Sequence, residues 1–210
     1  MIENLKPGSS LYIGTDDSNH AGTNKKGEII VATFSTHLED SIAKNQINRR
    51  EASKAYEWVR SPGRDYLFTI LSDERSRRCG YNLVLVAPLL VKEFLKRHQV
   101  DSPLTINLYF DGPLRGYQKR FVREDFPEHA IHVDGFDKKD FSIQSGKKTP
   151  RILSPNMVSM ADTLAHDLYV TSRSLEQCLT DSHMASLVQE EMTARDFRLR
   201  NGRPHVLYEN

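Results

Sequence analysis

Leu104-Thr105-Ile106-Asn107-Leu108-Tyr109-Phe110-Asp111-Gly112 is the stretch on which the reading of this chain turns. Leu104, Ile106, Leu108 and Phe110 alternate with Thr105, Asn107, Tyr109 and Asp111. A period of two puts the two sets on opposite faces of a β-strand. The strand therefore ends in a carboxylate, Asp111, on the face away from its apolar row, with a glycine after it.

Upstream, Leu83, Val86, Ala87, Leu90, Val91, Phe94 and Leu95 recur at helical spacing within Tyr81 to His98. This predicts a helix with a wide buried stripe. Pro88 interrupts it, so either a kink or a start near Ala87 is expected. Downstream, Leu114 to Glu124 reads as a short helix, and Ala130 to Val133 as a weak strand ending at Asp134-Gly135. A strand, helix, strand succession favours parallel neighbours.

Nearer the N-terminus, Leu11 to Asp16 and Glu28 to Ser35 read as two strands of a hairpin around the turn-rich Gly22 to Gly27. Asp65 to Leu71 is a third strand, preceded within Ile42 to Arg60 by a short exposed helix. Beyond the fifth strand, Phe136 to Arg151 is polar and basic and reads as a loop. Ser154 as N-cap and Pro155 at the first position open a helix to about Thr171. Ser182 to about Asp196 reads as a last helix, and the tail from Arg198 gives no clear signal. The fold class is α/β, with a mixed five-stranded sheet and helices on both faces. One domain over 1–210 is the default at this length, with a C-terminal helical extension from about 175.

Charged residues at 27% and apolar ones at 38% describe an ordinary soluble balance, and a net charge of +1 does not single out a polyanion partner. Cys79 and Cys178 form no Cys-x-x-Cys pair, which argues against a zinc ribbon or a disulfide framework. The first residues show no basic segment followed by an apolar one, and the run Leu83 to Val91 is too short to span a bilayer. The expected address is cytoplasmic, with no membrane partner.

The chemistry lies in the acidic residues. Asp16-Asp17 ends the first strand, Asp111 ends the fourth, and Asp162 sits inside the helix that follows Pro155. Singly, Asp16-Asp17 and Asp111-Gly112 also read as turn residues. Asp162 is neither a cap nor a good helix former, and lies at the edge of the stripe made by Met157, Met160, Ala161, Leu164, Ala165 and Leu168. If the first and fourth strands are neighbours, Asp16 and Asp111 stand about 5 Å apart and repel unless a proton or cation sits between them. There is no phosphate-binding glycine loop, no nucleophile elbow and no paired-histidine zinc motif.

The pattern resembles the ribonuclease H-like superfamily. Its members open with a hairpin whose first strand carries an Asp, end the fourth strand in an acidic residue, and present a third from a late helix. Gly14-Thr15-Asp16-Asp17-Ser18-Asn19-His20-Ala21-Gly22 looks like the Asp-Glu opening of ribonuclease HII and the Asp-Glu-Ser-Gly opening of a related bacterial and phage family. Ala161-Asp162-Thr163-Leu164-Ala165 is more similar to the second. Asp17 stands where these families have Glu, and the Gly-Arg-Gly that serves junction sensing in ribonuclease HII is replaced by Asn19-His20-Ala21.

The resemblance implies a nuclease dependent on Mg²⁺ or Mn²⁺, held by Asp16, Asp111 and Asp162, with Asp17 or Glu74 as fourth carboxylate. Nucleic acid is then the expected partner. Lys147, Lys148, Arg151, Arg115 and Lys119 are candidate phosphate contacts, and Phe136 and Phe141 candidate stacking residues. Two rivals remain. One is a nuclease-like domain that binds without cutting. The other is an ATP-using tRNA-modifying enzyme, whose Ile-Asp-Asp-Thr-Asp opening Ile13 to Asn19 resembles; that family requires neither Asp111 nor Asp162.

Overall fold

The computed structural model describes residues 2, 5–18, 28–42, 51–71, 82–136, 141–144, 147–150, 155–171, 195–200 and 203–208. Strands β1 (Ser10–Ser18), β2 (Glu28–Ser35), β3 (Arg64–Leu71), β4 (Thr105–Asp111) and β5 (Ala130–Phe136) form one sheet in the order β3-β2-β1-β4-β5. β1, β2 and β3 pair antiparallel in succession, whereas β1 with β4 and β4 with β5 are parallel. The sheet is therefore mixed, as expected. Every residue of β2 is buried, because helices cover it from both sides; that is why EIIVATFS runs apolar instead of alternating.

Among the described residues, four helices, α1 (Ala52–Arg60), α2 (Asn82–Arg97), α3 (Gly116–Glu124) and α4 (Asn156–Thr171), accompany the sheet in an α/β fold. α2 lies on the face bearing Leu11, Ile13, Ile30, Ala32, Phe34, Ile106, Leu108 and Phe110. Phe34 stacks on Phe94 there with ring centroids 3.9 Å apart. Burying each such ring is worth roughly 1.5–3 kcal/mol. α1 and α4 cover the other face through Ala55, Val59, Met160, Ala161, Leu164 and Ala165 against Ile29, Val31, Phe68 and Ile70.

Several details correct the expectations. α2 does not begin near Ala87; it runs unbroken from Asn82 past a buried Pro88. Pro88 cannot donate to the carbonyl one turn back, and the apolar stripe buried on both sides of it outweighs that loss. α1 is not an exposed helix, since Ala55 and Val59 are fully buried. α4 starts at Asn156, and the Pro155 carbonyl accepts the N–H groups of Val158 and Ser159, which gives Pro155 the capping place. Ser154 lies outside the described residues.

The expected loop from Phe136 contains a β-hairpin of β6 (Phe141–Gln144) and β7 (Lys147–Pro150). Alternation in Phe141-Ser142-Ile143-Gln144 followed by Ser-Gly was the available signal. The last helix lies mostly outside the described residues, and its expected end at Arg195-Asp196 is instead the start of β8 (Arg195–Arg200), paired with β9 (Arg203–Tyr208). This described part of the C-terminal extension is strand, not helix. No helix among the described residues is long and apolar enough to cross a membrane.

Candidate functional site

The register of the two central parallel strands brings Asp16 and Asp111 together. Gly14 pairs with Tyr109 and Thr15 with Phe110, so the next step along both strands sets Asp16 abreast of Asp111. Asp16 also pairs with Val31 and Asp111 with Phe136. One row across four strands therefore reads Val31, Asp16, Asp111, Phe136. Parallel neighbours in register point to the same face and sit about 5 Å apart. Asp16 is 1% exposed and Asp111 half-buried. Asp16 Oδ1 accepts the N–H of Asp17 at 2.8 Å.

This row lies on the α4 face. Tyr12 and Gly14, in phase with Asp16, meet α4; Tyr12 packs with Met157 and Val158, and Tyr109 joins that cluster. The two backbones touch at Gly14. A Cβ there would come 2.5 Å from the carbonyl carbon of Met157 and the nitrogen of Val158. Thr33 Oγ1 reinforces the crossing by donating to the Met157 carbonyl at 2.8 Å. A glycine inside a strand signals such close backbone approach, so Gly14 was readable from sequence and was missed.

From this crossing α4 climbs toward the strand ends that carry the carboxylates, because Met160, Ala161 and Leu164 pack on Val31 and Ile29, the partners of Asp16 and Ser18. Asp162 is one turn beyond Val158 on the same flank, the flank that meets Tyr12 and Tyr109, and it is half-buried. On the other flank, Tyr56 Oη of α1 donates to Asp167 at 3.2 Å. Burial, then the Asp167 carboxylate, pushes the Tyr56 phenol well above its ordinary value.

The remaining expected site residues are placed differently. Pairing of β1 with β2 runs without a bulge to Ser18 opposite Ile29, so Asp17 stands on the α2 face, opposite Asp16. Glu74 and Arg151 lie outside the described residues. Lys147 and Lys148 are consecutive in β7, paired with Gln144 and Ile143. Arg115 caps α3, its N–H donating to Gln118 Oε1 at 2.7 Å. Lys119 Nζ donates to Asp134 Oδ1 at 2.8 Å. Burial would raise the Asp134 carboxyl, but the Lys119 hydrogen bond and charge and the Gly135 N–H hold it below its ordinary value. Among the described residues no three His, Cys, Asp or Glu side chains form a group that could hold a metal ion. The pair Asp16–Asp111 is what the register assembles, with Asp162 on the facing helix flank.

The same face carries an aromatic patch that sequence reading did not assemble. The Tyr109 ring lies 5.9 Å from Phe136 and 6.4 Å from His132. It occupies the row beside the acidic one, with Asp134 as its own strand partner. Compared with protein-family models, with curated proteins and with solved structures, the chain matches none.

Proposed function

We propose that this chain is a ribonuclease H-like, divalent-metal-dependent nuclease that hydrolyses phosphodiester bonds. The observation that carries the reading is the register that sets Asp16 abreast of Asp111 at the C-terminal ends of adjacent parallel strands. Its support is threefold: a hairpin whose first strand carries one Asp, a fourth strand ending in another, and a late helix crossing the same face with a third.

The donor chemistry fits a hard cation. Mg²⁺ takes oxygen ligands and is commonly bound by one or two carboxylates, the rest of its shell being water and substrate phosphate. Asp16 and Asp111 would hold Mg²⁺ or Mn²⁺ as a two-carboxylate site; Asp162, on the α4 flank over the same face, does not group with them as a third ligand. Asp17, on the opposite face, has no part in it. When bound, such an ion polarises a phosphoryl oxygen and lowers the pKa of a coordinated water. The chain's own contribution is positioning. The backbone contact at Gly14 fixes the depth of α4 over β1, and with it the place of Asp162 relative to the pair. Tyr109 and Phe136 present ring surface beside Asp111 on which a nucleobase could stack.

The test is a cleavage panel of labelled DNA and RNA, single- and double-stranded and hybrid, with Mg²⁺, Mn²⁺ or chelator. Metal-dependent cleavage abolished by Asp16→Asn is expected. Binding without cleavage under every condition would make the chain a nuclease-like binding domain. Cleavage that survives both Asp16→Asn and Asp111→Asn would end the proposal.

A further inference from the structure

Among the described residues, helices cover one half of the α4 side of the sheet and leave the other half open. Over β1 and β2 the residues on that side, such as Tyr12, Asp16, Ile29 and Val31, are buried, with α1 and α4 packed across them. On β4 and the edge strand β5 the same side carries Asn107, Tyr109, Asp111, His132, Asp134 and Phe136, and none of these is buried. Their neighbours Ile106, Leu108, Phe110 and Val133 are buried on the α2 side. The sheet is therefore fully packed from below and bare above, the pattern of a strand pair with one solvated face. A solvated face ordinarily carries polar side chains; this one carries rings.

Tyr109 is flanked diagonally by His132 and Phe136, with ring centroids 6.4 and 5.9 Å away. The line ends at Phe136, the strand partner of Asp111. Rings set in a row on a sheet face are a stacking platform for bases. Spacing and charge select an unpaired strand over a duplex. Bases on successive rings stand 5.9 to 6.4 Å apart, nearly twice the rise of about 3.4 Å along a duplex strand, so they are splayed from one another. The charges on the face are the carboxylates Asp16, Asp111 and Asp134, and the Lys119 ammonium that reaches it is paired with Asp134. Such a face repels a phosphate backbone, but an unpaired strand turns its bases down and its phosphates outward. A second copy docked symmetrically is disfavoured, because it would set Asp111 and Asp134 against their own counterparts. Tyr109 is held in place beforehand: the Ser41 side chain hydrogen-bonds its hydroxyl, and its ring packs on the Met157–Val158 cluster.

We propose that the His132–Tyr109–Phe136 line is a base-stacking platform that takes about three unpaired nucleotides, which makes single-stranded nucleic acid the substrate class. This rests on the nuclease reading for the choice of nucleic acid as partner. It leads the strand along β4 and β5 to the Asp16–Asp111 pair.

The experiment measures binding of the full chain, in chelator so that nothing is cut, to a labelled single-stranded DNA, the same sequence as RNA, and the DNA duplex, across a salt series. The parent should bind both single strands more tightly than the duplex. Tyr109→Leu and Phe136→Leu should each weaken single-strand binding about tenfold, the scale of one lost base stack. Tyr109→Phe, which keeps the ring, should retain the parent affinity. Each lost phosphate contact on a single strand lowers the slope of log affinity against log salt by about 0.7; the ring variants should leave that slope unchanged. Should the half-buried positions fail to fold as leucine, His132→Ala, on an exposed residue, should still weaken binding several-fold. Equal affinity of all variants would overturn the platform, as would a parent that prefers duplex or binds nothing. So would sedimentation showing a parent dimer that Tyr109→Leu dissociates while nucleic-acid affinity stays the same. Ring-dependent binding with no cleavage under any metal would leave the platform standing and remove the nuclease reading. Metal-dependent cleavage indifferent to every ring variant would do the reverse.

Discussion

Asp40 and Asp16 are each 1% exposed, yet the fold treats these two carboxylates in opposite ways. Asp40, in the short 3-10 turn Leu38–Ser41, lies beyond the end of β2 and is met by donors from three other elements. Arg64 Nε donates to its Oδ2 at 2.7 Å and Ser35 Oγ to the same oxygen at 2.6 Å, while Trp58 Nε1 reaches Oδ1 at 3.3 Å. Burial works to raise the Asp40 carboxyl; the Arg64 hydrogen bond and charge, with Ser35 and Trp58, win and hold it below its ordinary value. At the other end of the sheet, the register sets Asp16 beside a second carboxylate. One end neutralises a buried charge from within and so stabilises the fold. The other sets two carboxylates side by side, a pairing that repels unless a proton or a cation sits between them.

Removing a carboxylate charge should therefore act with opposite sign at the two ends. Asp40→Asn should cost about 3 kcal/mol, because it leaves the Arg64 guanidinium, whose side chain is only 18% exposed, without its counter-charge. Urea unfolding measures this, and a loss below about 1 kcal/mol would mean that Asp40 is not the anchor described. The same comparison has a pH signature. A folded-state pKa below the unfolded value of 3.8 gives stability that is present above that value and lost as pH falls through the lower folded one. The gap between parent and Asp40→Asn should stay level from about pH 5 to neutrality and close below about pH 4. A gap that persists in acid would assign the effect to packing.

Gly14→Ala comes next. The added Cβ meets Met157 and Val158 backbone, which cannot swing aside as a flexible side chain would. A loss of about 2 kcal/mol is expected from overpacking, together with weaker divalent-metal binding as α4 is pushed off β1. Wild-type stability in this variant would show that α4 does not rest on the strand. Smallest is Asp111→Asn, which should raise the melting stability of metal-free protein by about 1 kcal/mol through relief of like-charge repulsion. A destabilisation of that size would mean that Asp111 is held by favourable partners, and the contrast between the two ends would fail.

What sequence could reveal follows the range of the interaction. The alternation in Leu104 to Asp111 and the helical stripe of Leu83 to Leu95 are local periodicities, and both became the expected elements. Asp16 and Asp111 each ended a strand by reading alone, and a crossover connection made parallel neighbours the natural guess; the register then set the two abreast. Asp17 was misjudged because adjacent acids look equivalent in a sequence, whereas an unbroken strand sends them to opposite faces. At Pro88 the start near Ala87 fell away, because the burial on both sides of the proline carries the helix through from Asn82. The network around Asp40 was illegible, since Ser35, Trp58 and Arg64 are joined only by tertiary folding.

The central claim, that Asp16 and Asp111 together hold a divalent cation, is tested most directly by calorimetric titration of Mn²⁺ into the parent and into the Asp16→Asn/Asp111→Asn double variant. The account predicts saturable binding by the parent, with a rise in melting temperature that grows with Mn²⁺ concentration, and neither effect in a double variant that remains folded. Equal binding by the two proteins would contradict it.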